Sequence, residues 1–297
     1  MKDKKVNGQS LRRGLLPYLL IAPAMLILFA FVLYPIGNMV YLSFFDWNML
    51  SPKKFAGLEN YMKMFQDPDF HQTLANTFKY TFFCLIFGLG LALATALFLK
   101  KNTRITRFLQ SVIFMPYIMP LVSVAFIWVW LMDTDYGLLN YLLELFHLPT
   151  VNWLQDPKTA MYAVILVSVW KSLGYNTLII LSAMQSVPRY LYEAAELDHA
   201  SGWRTFAKIT FPMISPSMFF LTLMNLISCF KVFDTVNIMT AGGPVKSTTT
   251  LVYSIYEDGF LFYKLGLASA EGVVLMVIIG IFTAIYFCAL SKKVHYR

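Results

Sequence analysis

Charge is scarce in this chain. Only 13% of its 297 residues are Asp, Glu, Lys or Arg, against about 25% in a soluble domain. Hydrophobic residues make up 58%, so there is too little polar surface to cover a core in water, and the chain reads as an all-α integral membrane protein. Acids are almost absent from the apolar runs, where a proton- or ion-coupled carrier would keep them. Cysteine is scarce too. Cys84, Cys229 and Cys288 each lie in or beside an apolar run, without metal-ligand spacing, and read as reduced packing residues. The four histidines, His71, His147, His199 and His295, scatter through loops and tails and form no metal or catalytic set. No Gly-x-x-x-x-Gly-Lys-Ser/Thr phosphate loop occurs, so this chain hydrolyses no nucleotide itself. These absences argue against a membrane-embedded enzyme. A six-span secondary carrier or channel remains an alternative, but it would need intramembrane carboxylates or a repeated pore motif.

What the chain has is apolar length. Six stretches, about 15–42, 76–99, 108–132, 160–184, 211–230 and 272–290, reach the roughly 20 residues that a bilayer crossing takes. Pro17, Pro23 and Pro35 punctuate the first, which reads as an uncleaved, kinked span. Gly88 and Gly90 offer small packing positions in the second, and Pro116 and Pro120 lie in the third. Short surface helices are expected at 58–65 and 138–146. Residues 1–14, the 100–107 loop, the 186–210 loop and the C-terminus hold fifteen lysines and arginines, against seven in the alternate, longer loops. The positive-inside rule then places both termini and the 186–210 loop in the cytoplasm. The net charge of +8 is therefore topological and does not point to nucleic acid.

The polar interruption at 186–212 is the most informative stretch. Ser186 is expected as an N-cap with Pro188 in the first turn. Tyr190, Ala194 and Leu197 share one helical face, with Glu193 and Glu196 beside them. Ser201 and Gly202 restart the chain, and Trp203, Phe206 and Thr210 share a second face. A short charged helix between two spans suits docking of a soluble partner; it also suits an ordinary interfacial loop.

The residues then show a resemblance. Permease subunits of binding-protein-dependent ATP-binding-cassette importers carry a cytoplasmic motif of Glu-Ala-Ala, three residues, Gly, nine residues, Ile-x-Leu-Pro. Here Glu193-Ala194-Ala195 is followed at that spacing by Ile209 and Pro212, with His199 at the glycine position and Phe211 at the leucine. Glycine suits a residue that takes a positive φ, and Gly202 is expected to absorb part of the bend. The likeness extends through Phe45-Asp46-Trp47, Gly57-Leu58-Glu59-Asn60-Tyr61, Asp67-Pro68-Asp69-Phe70, Asn152-Trp153-Leu154-Gln155-Asp156-Pro157, Gly242-Gly243-Pro244 with Ser247-Thr248-Thr249-Thr250-Leu251, and Gly266-Leu267-Ala268-Ser269-Ala270. These are similar to the extracytoplasmic loops of the carbohydrate-uptake branch, in particular the larger maltose-type and first glycerol-phosphate-type permease subunits.

The resemblance implies six transmembrane helices with both termini inside, in a bacterial-type plasma (inner) membrane. It implies a single permease domain, 15–297, behind the basic residues 1–14, and a cytoplasmic coupling helix in the 186–210 loop. Glu193, Ala194, Ala195, Asp198, His199, Gly202, Ile209 and Pro212 would contact the ATPase. No cofactor is expected on this chain; ATP and Mg would sit on two partner ATP-binding cassette subunits. A second permease would complete a heterodimer, and an extracytoplasmic solute-binding protein would deliver a sugar or oligosaccharide. Glycerol phosphate or another polyol is the alternative cargo. Polar groups inside spans face a cavity or a neighbouring helix. Asn225 and Ser228, with Asn176, Tyr175 and Phe230, therefore either line a sugar path or serve as packing contacts between helices. Lys171 either serves that path or pairs with an acid of the partner.

Overall fold

The computed structural model describes residues 8–101 and 103–290, which are mostly helical. The basic residues Lys2, Lys4 and Lys5 at one end and Lys292, Lys293 and Arg297 at the other, with His295, lie outside the described residues. Span one is α1 (Gly8–Leu28) and α2 (Tyr34–Leu42) joined by a π turn (Phe29–Leu33). Pro35 is the reason for the wide turn. A proline lacks the N–H, and its ring crowds the carbonyl four residues back. The Tyr34 N–H steps back to Phe29 O, five residues away, so the helix widens instead of breaking.

A two-stranded ribbon, β1 (Phe45–Asp46) antiparallel to β2 (Lys54–Phe55), precedes the surface helix α3 (Glu59–Gln66). Next comes α4 (Pro68–Leu99), capped by the Asp67 side chain on the Asp69 N–H. It starts well ahead of the expected residue 76, because loop residues cover its polar first turns. Asn76, for instance, donates to the carbonyls of Lys246 and Thr249.

The expected third span is two helices, α5 (Arg104–Ile118) and α6 (Leu121–Leu131), bent by 100°. Pro120 pushes Met119 into the extended region, and both residues leave the helix. The stretch expected as a span over 108–132 with Pro116 and Pro120 inside it is thus a bent helix pair. The surface helix α7 (Leu138–Leu145) leads to α8 (Ala160–Gln185). The polar loop holds α9 (Arg189–Leu197) and α10 (Gly202–Thr205). A second π turn (Phe206–Thr210) runs into α11 (Phe211–Phe230), again just before a proline, Pro212. The last long loop holds α12 (Asp234–Met239), α13 (Leu251–Tyr256) and a third π turn (Glu257–Leu261), and α14 (Leu265–Leu290) follows. Among the described residues five helices are long and apolar enough to cross a membrane, or six spans with the α5–α6 pair counted as one.

The centre is the packing of α4 on α8. Thr77, Thr81, Cys84, Gly88, Ala92, Ala96 and Leu99 form the buried stripe of α4 at helical spacing, and its small side chains let the two backbones approach. Of the two glycines expected to pack, Gly88 is buried near Ser172, whereas Gly90 is exposed with nothing within 4 Å. On the other side of α8, α5 crosses at Gly174. A Cβ there would lie 2.2 Å from the Ile113 carbonyl oxygen and 2.6 Å from the Phe114 Cα. These are backbone atoms of the opposing helix and cannot rotate away. α6 leans instead on α12, and α2 and α13 lean on α14.

Gly174→Ala is expected to cost about 3 kcal/mol through overpacking. Thermal unfolding of the purified chain in detergent should show the loss, while Gly90→Ala leaves the midpoint unchanged.

Candidate functional site

The 186–212 loop closes on a specific helix end. The Ala200 N–H donates to the Ala195 carbonyl at 2.9 Å and the His199 N–H to the Glu196 carbonyl at 3.0 Å. With α9 ending at Leu197, these are the paired bonds of a Schellman cap, whose C′ residue sits in the left-handed region. His199 is that residue, at φ +51°. The motif's glycine position is thus a helix stop, and histidine occupies it at a conformational cost that glycine would avoid. Gly202 takes no part in the bend: it is the first residue of α10, and its φ is not positive. Ser201 caps α10 through its Oγ on the Arg204 N–H, 3.3 Å. Ser186 is likewise not an N-cap; it ends α8, its Oγ donating to the Ala183 carbonyl, and Pro188 precedes α9.

One face of α9 is anchored. Leu191 and Tyr192 pack with Val187, Met184 and Ile209, and the Tyr192 hydroxyl meets the Thr210 hydroxyl at 3.2 Å. Ala195 is buried. Ala194, Ala195, Asp198 and Ile209, with Leu191, Arg204 and Lys208, line a groove of about 490 Å³ between α9 and the start of the fifth span. The outward face stays bare: Tyr190, Leu197 and Trp203 are 65%, 82% and 75% exposed. Glu193 is exposed and paired with Arg189, 3.3 Å, one turn back. Pro212 belongs to the first turn of α11.

A cavity of about 320 Å³ opens between α4, α8 and α11. It is lined by Tyr80, Cys84, Tyr117, Ser168, Lys171, Ser172, Asn225, Ser228, Cys229, Lys231 and Asp234, among others. Asn225 and Ser228 are therefore on the wall. Asn176 is fully buried and exchanges two amide hydrogen bonds with Asn225, 3.2 and 3.0 Å, clamping α8 to α11. Tyr175 stacks on Tyr117 with ring centroids 4.7 Å apart. Phe230 does not line the cavity: it is 1% exposed and packs edge-on to Phe78 and against Phe282, so it serves packing. Sequence reasoning missed Ser168 and Ser172. Their signal was a polar stripe on α8, in which Ser168, Ser172 and Tyr175 recur at helical spacing. Among the described residues Lys171 meets carbonyls rather than an acid. Its ammonium donates to the carbonyls of Pro116, Tyr117 and Met119 at 3.1, 3.3 and 2.7 Å.

The loop motifs satisfy their own backbones. Gly242 sits at φ +75°, where a Cβ would strike the Tyr253 ring and the Thr249 hydroxyl. Its carbonyl accepts from the Thr248 N–H and the Thr249 hydroxyl. The Asn60 amide donates to the carbonyls of Ser43 and Phe45, and Trp153 Nε1 donates to Asn140 Oδ1 at 3.0 Å. One acid near the start of the sixth apolar stretch is buried. Glu271 is buried on α14, accepting from the Ser254 hydroxyl at 2.9 Å, at the floor of an acidic chamber of about 190 Å³. On the loop side of that chamber burial pushes the Glu257 and Asp258 carboxyls up, against the opposing pull of Lys246 and, for Asp258, Lys264. Among the described residues no three His, Cys, Asp or Glu side chains are grouped to hold a metal ion.

Residues 86–296 match the family model described as the binding-protein-dependent transport system inner membrane component. The chain is 36% identical over 288 residues to the sn-glycerol-3-phosphate transport system permease protein UgpA of Pectobacterium atrosepticum, covering 96% of this chain and 97% of that one. It is 35% identical over 284 residues to UgpA of Escherichia coli, at 95% and 96% coverage. In fold it resembles a chain of a bacterial alginate ABC transporter solved with an alginate pentasaccharide-bound periplasmic protein. The TM-score is 0.84 at 22% identity, and 96% of each chain is covered.

Substitutions at three positions test the geometry. His199→Gly removes the left-handed penalty and is expected to raise the unfolding midpoint of the purified chain slightly, by less than about 1 kcal/mol, whereas His199→Val lowers it. For the amide clamp, a double-mutant cycle of Asn176→Ala and Asn225→Ala should return a coupling energy of about 0.5–2 kcal/mol; a value of zero would mean that the two amides act independently.

Proposed function

The chain belongs to the family of binding-protein-dependent transport system inner membrane components, and from that membership we propose what it carries and how it is driven. It is a multi-pass inner-membrane permease subunit of an ABC importer and is itself non-catalytic. In the proposed reading residues 15–297 form one transmembrane permease domain behind the basic stretch 1–14. Both termini and the 186–210 loop face the cytoplasm. Two ATP-binding cassette subunits, carrying ATP and Mg, meet that loop, a second permease completes a heterodimer, and an extracytoplasmic binding protein delivers the solute.

The observation that carries the coupling role is the build of the loop. α9 is stopped by the cap at His199, anchored on one face by Leu191 and Tyr192, and left bare on the other at Tyr190 and Leu197, with Trp203 bare on α10 beside it. A rigid anchored helix with an exposed apolar and charged face transmits displacement to the spans on either side. Closure of the ATPase pair then moves α9, and the cavity alternates between its two openings. ATP and solute bias that equilibrium only through their different affinities for the two states.

For the cargo, a hydroxyl-rich sugar or oligosaccharide fits a cavity of serine, tyrosine and asparagine side chains. Glycerol phosphate or a related polyol phosphate is the second reading. It is favoured by the substrate named for the relatives and by Lys231, a cation of the cavity wall that sequence reasoning had left in a loop. Ligand binding by the cognate extracytoplasmic protein separates the two: saturable binding of a sugar supports the first, and of glycerol phosphate the second. Binding of amino acids alone removes both.

Ala195→Asp places a carboxylate at the buried joint of loop and groove. In the reconstituted importer, uptake is expected to fall at least about tenfold while ATP hydrolysis persists. A variant that assembles and transports like the native chain would remove the coupling role.

A further inference from the structure

The bend between α5 and α6 has an unusual chemistry. Inside a helix the Pro116 carbonyl would accept from the residue four ahead, which is Pro120 and has no N–H. The carbonyls of Tyr117 and Met119 face the same gap, because the chain at 119 and 120 is extended. Within a membrane span such groups are tolerated only where protein or a water-filled cavity satisfies them. Lys171, reaching across from α8, supplies three N–H donors to these three acceptors. A charged ammonium within a span is costly, and here every donor it has is used on the break.

By backbone approach α5 packs on α8 and α6 on α12 in the last long loop, while Trp128 of α6 meets Trp170 of α8 edge-on, ring centroids 5.4 Å apart. The tight crossing at Gly174 fixes α5 to α8 just before the break. Lys171 also lines the cavity, and its Nζ is 6.0 Å from the centroid of the Tyr117 ring that Tyr175 stacks on.

We propose that the α5–α6 break is a working hinge of the transport cycle and that Lys171 is the positioning residue that pins it. As the angle between α5 and α6 changes, the ammonium on its four-carbon stem follows the moving carbonyls and keeps them satisfied at each angle. A compact charge on a flexible stem suits this better than a planar guanidinium, which is tied to one geometry. The inference rests on reading the chain as a permease that alternates between two states. It gives Lys171 a role in the motion and none in binding the solute.

The test uses the complete importer in lipid nanodiscs, with Cys84, Cys229 and Cys288 replaced by alanine and spin labels at exposed positions Ile105 on α5 and Trp130 on α6. The native distance distribution is expected to shift when a non-hydrolysable ATP analogue binds. In Lys171→Met it should broaden without nucleotide, and the uptake kcat should fall about tenfold at unchanged KM. Lys171→Arg, which still donates to the carbonyls, should keep the resting distance and more of the rate. An unshifted native distance on nucleotide binding would overturn the hinge. A Lys171→Met distribution like the native one, or a rise in KM at unchanged kcat, would overturn the pin, the latter by making Lys171 a solute contact. Because the distances need no solute, they stand apart from the cargo assignment, which fails only if the binding protein takes neither a sugar nor a polyol phosphate.

Discussion

A bilayer offers no water to a stranded carbonyl, so each place where a helix of this chain is interrupted must be repaired by the chain itself. The fold is a set of such repairs. Before Pro35 and before Pro212 the repair is a π turn, which moves the last N–H one carbonyl further back. At Pro120 no widening suffices, since two residues leave the helix, and the repair comes from a lysine on another helix. At His199 the helix is meant to stop, and a Schellman cap returns two N–H groups to its last carbonyls. Within the spans the requirement gives a bend or a fracture according to how much backbone is stranded, while the stop at His199 belongs to the polar loop, where the cap shapes the helix end.

Between these repairs the helices are held by closeness more than by polar pairing. Cys84, Gly88, Ala92 and Ala96 on α4 and Gly174 on α8 remove bulk where two helices meet. The amide clamp of Asn176 with Asn225 joins α8 to α11. Ser168, Ser172, Ser228 and Lys231 line the cavity, the hydroxyls of Ser168 and Ser172 donating to the Val164 and Val169 carbonyls of their own helix. The loop motifs follow a different economy. Their glycines, threonines and asparagines bond loop backbone.

Much of this was legible in the sequence. Spans two, four, five and six follow from apolar length, and the need for a left-handed residue at 199 follows from the motif glycine. Other features depended on partners far along the chain. Pro116 and Pro120 announce a kink, but whether the helix bends or fractures depends on what satisfies its carbonyls, and Lys171 is 55 residues from the first of them. Ser186 and Pro188 look like a helix start, yet the last turn of α8 claims Ser186 first. Phe230 has the right position for a cavity side chain but points into a ring cluster with Phe78 and Phe282, a direction that periodicity along α11 alone does not fix.

The helical run from Gly202 to Phe230 counts 29 residues without a break, about 43 Å at the usual rise. It carries the exposed Trp203 at one end, and Lys231 at the cavity wall follows the other. A rod of that length works as a lever: shifting one end by about 2 Å tilts it by about 3°. Its π turn near the loop end makes that end the softer one. A displacement delivered at Trp203 would have to pass that π turn before it reached Asn225, so the wide turn stands between the loop and the cavity wall.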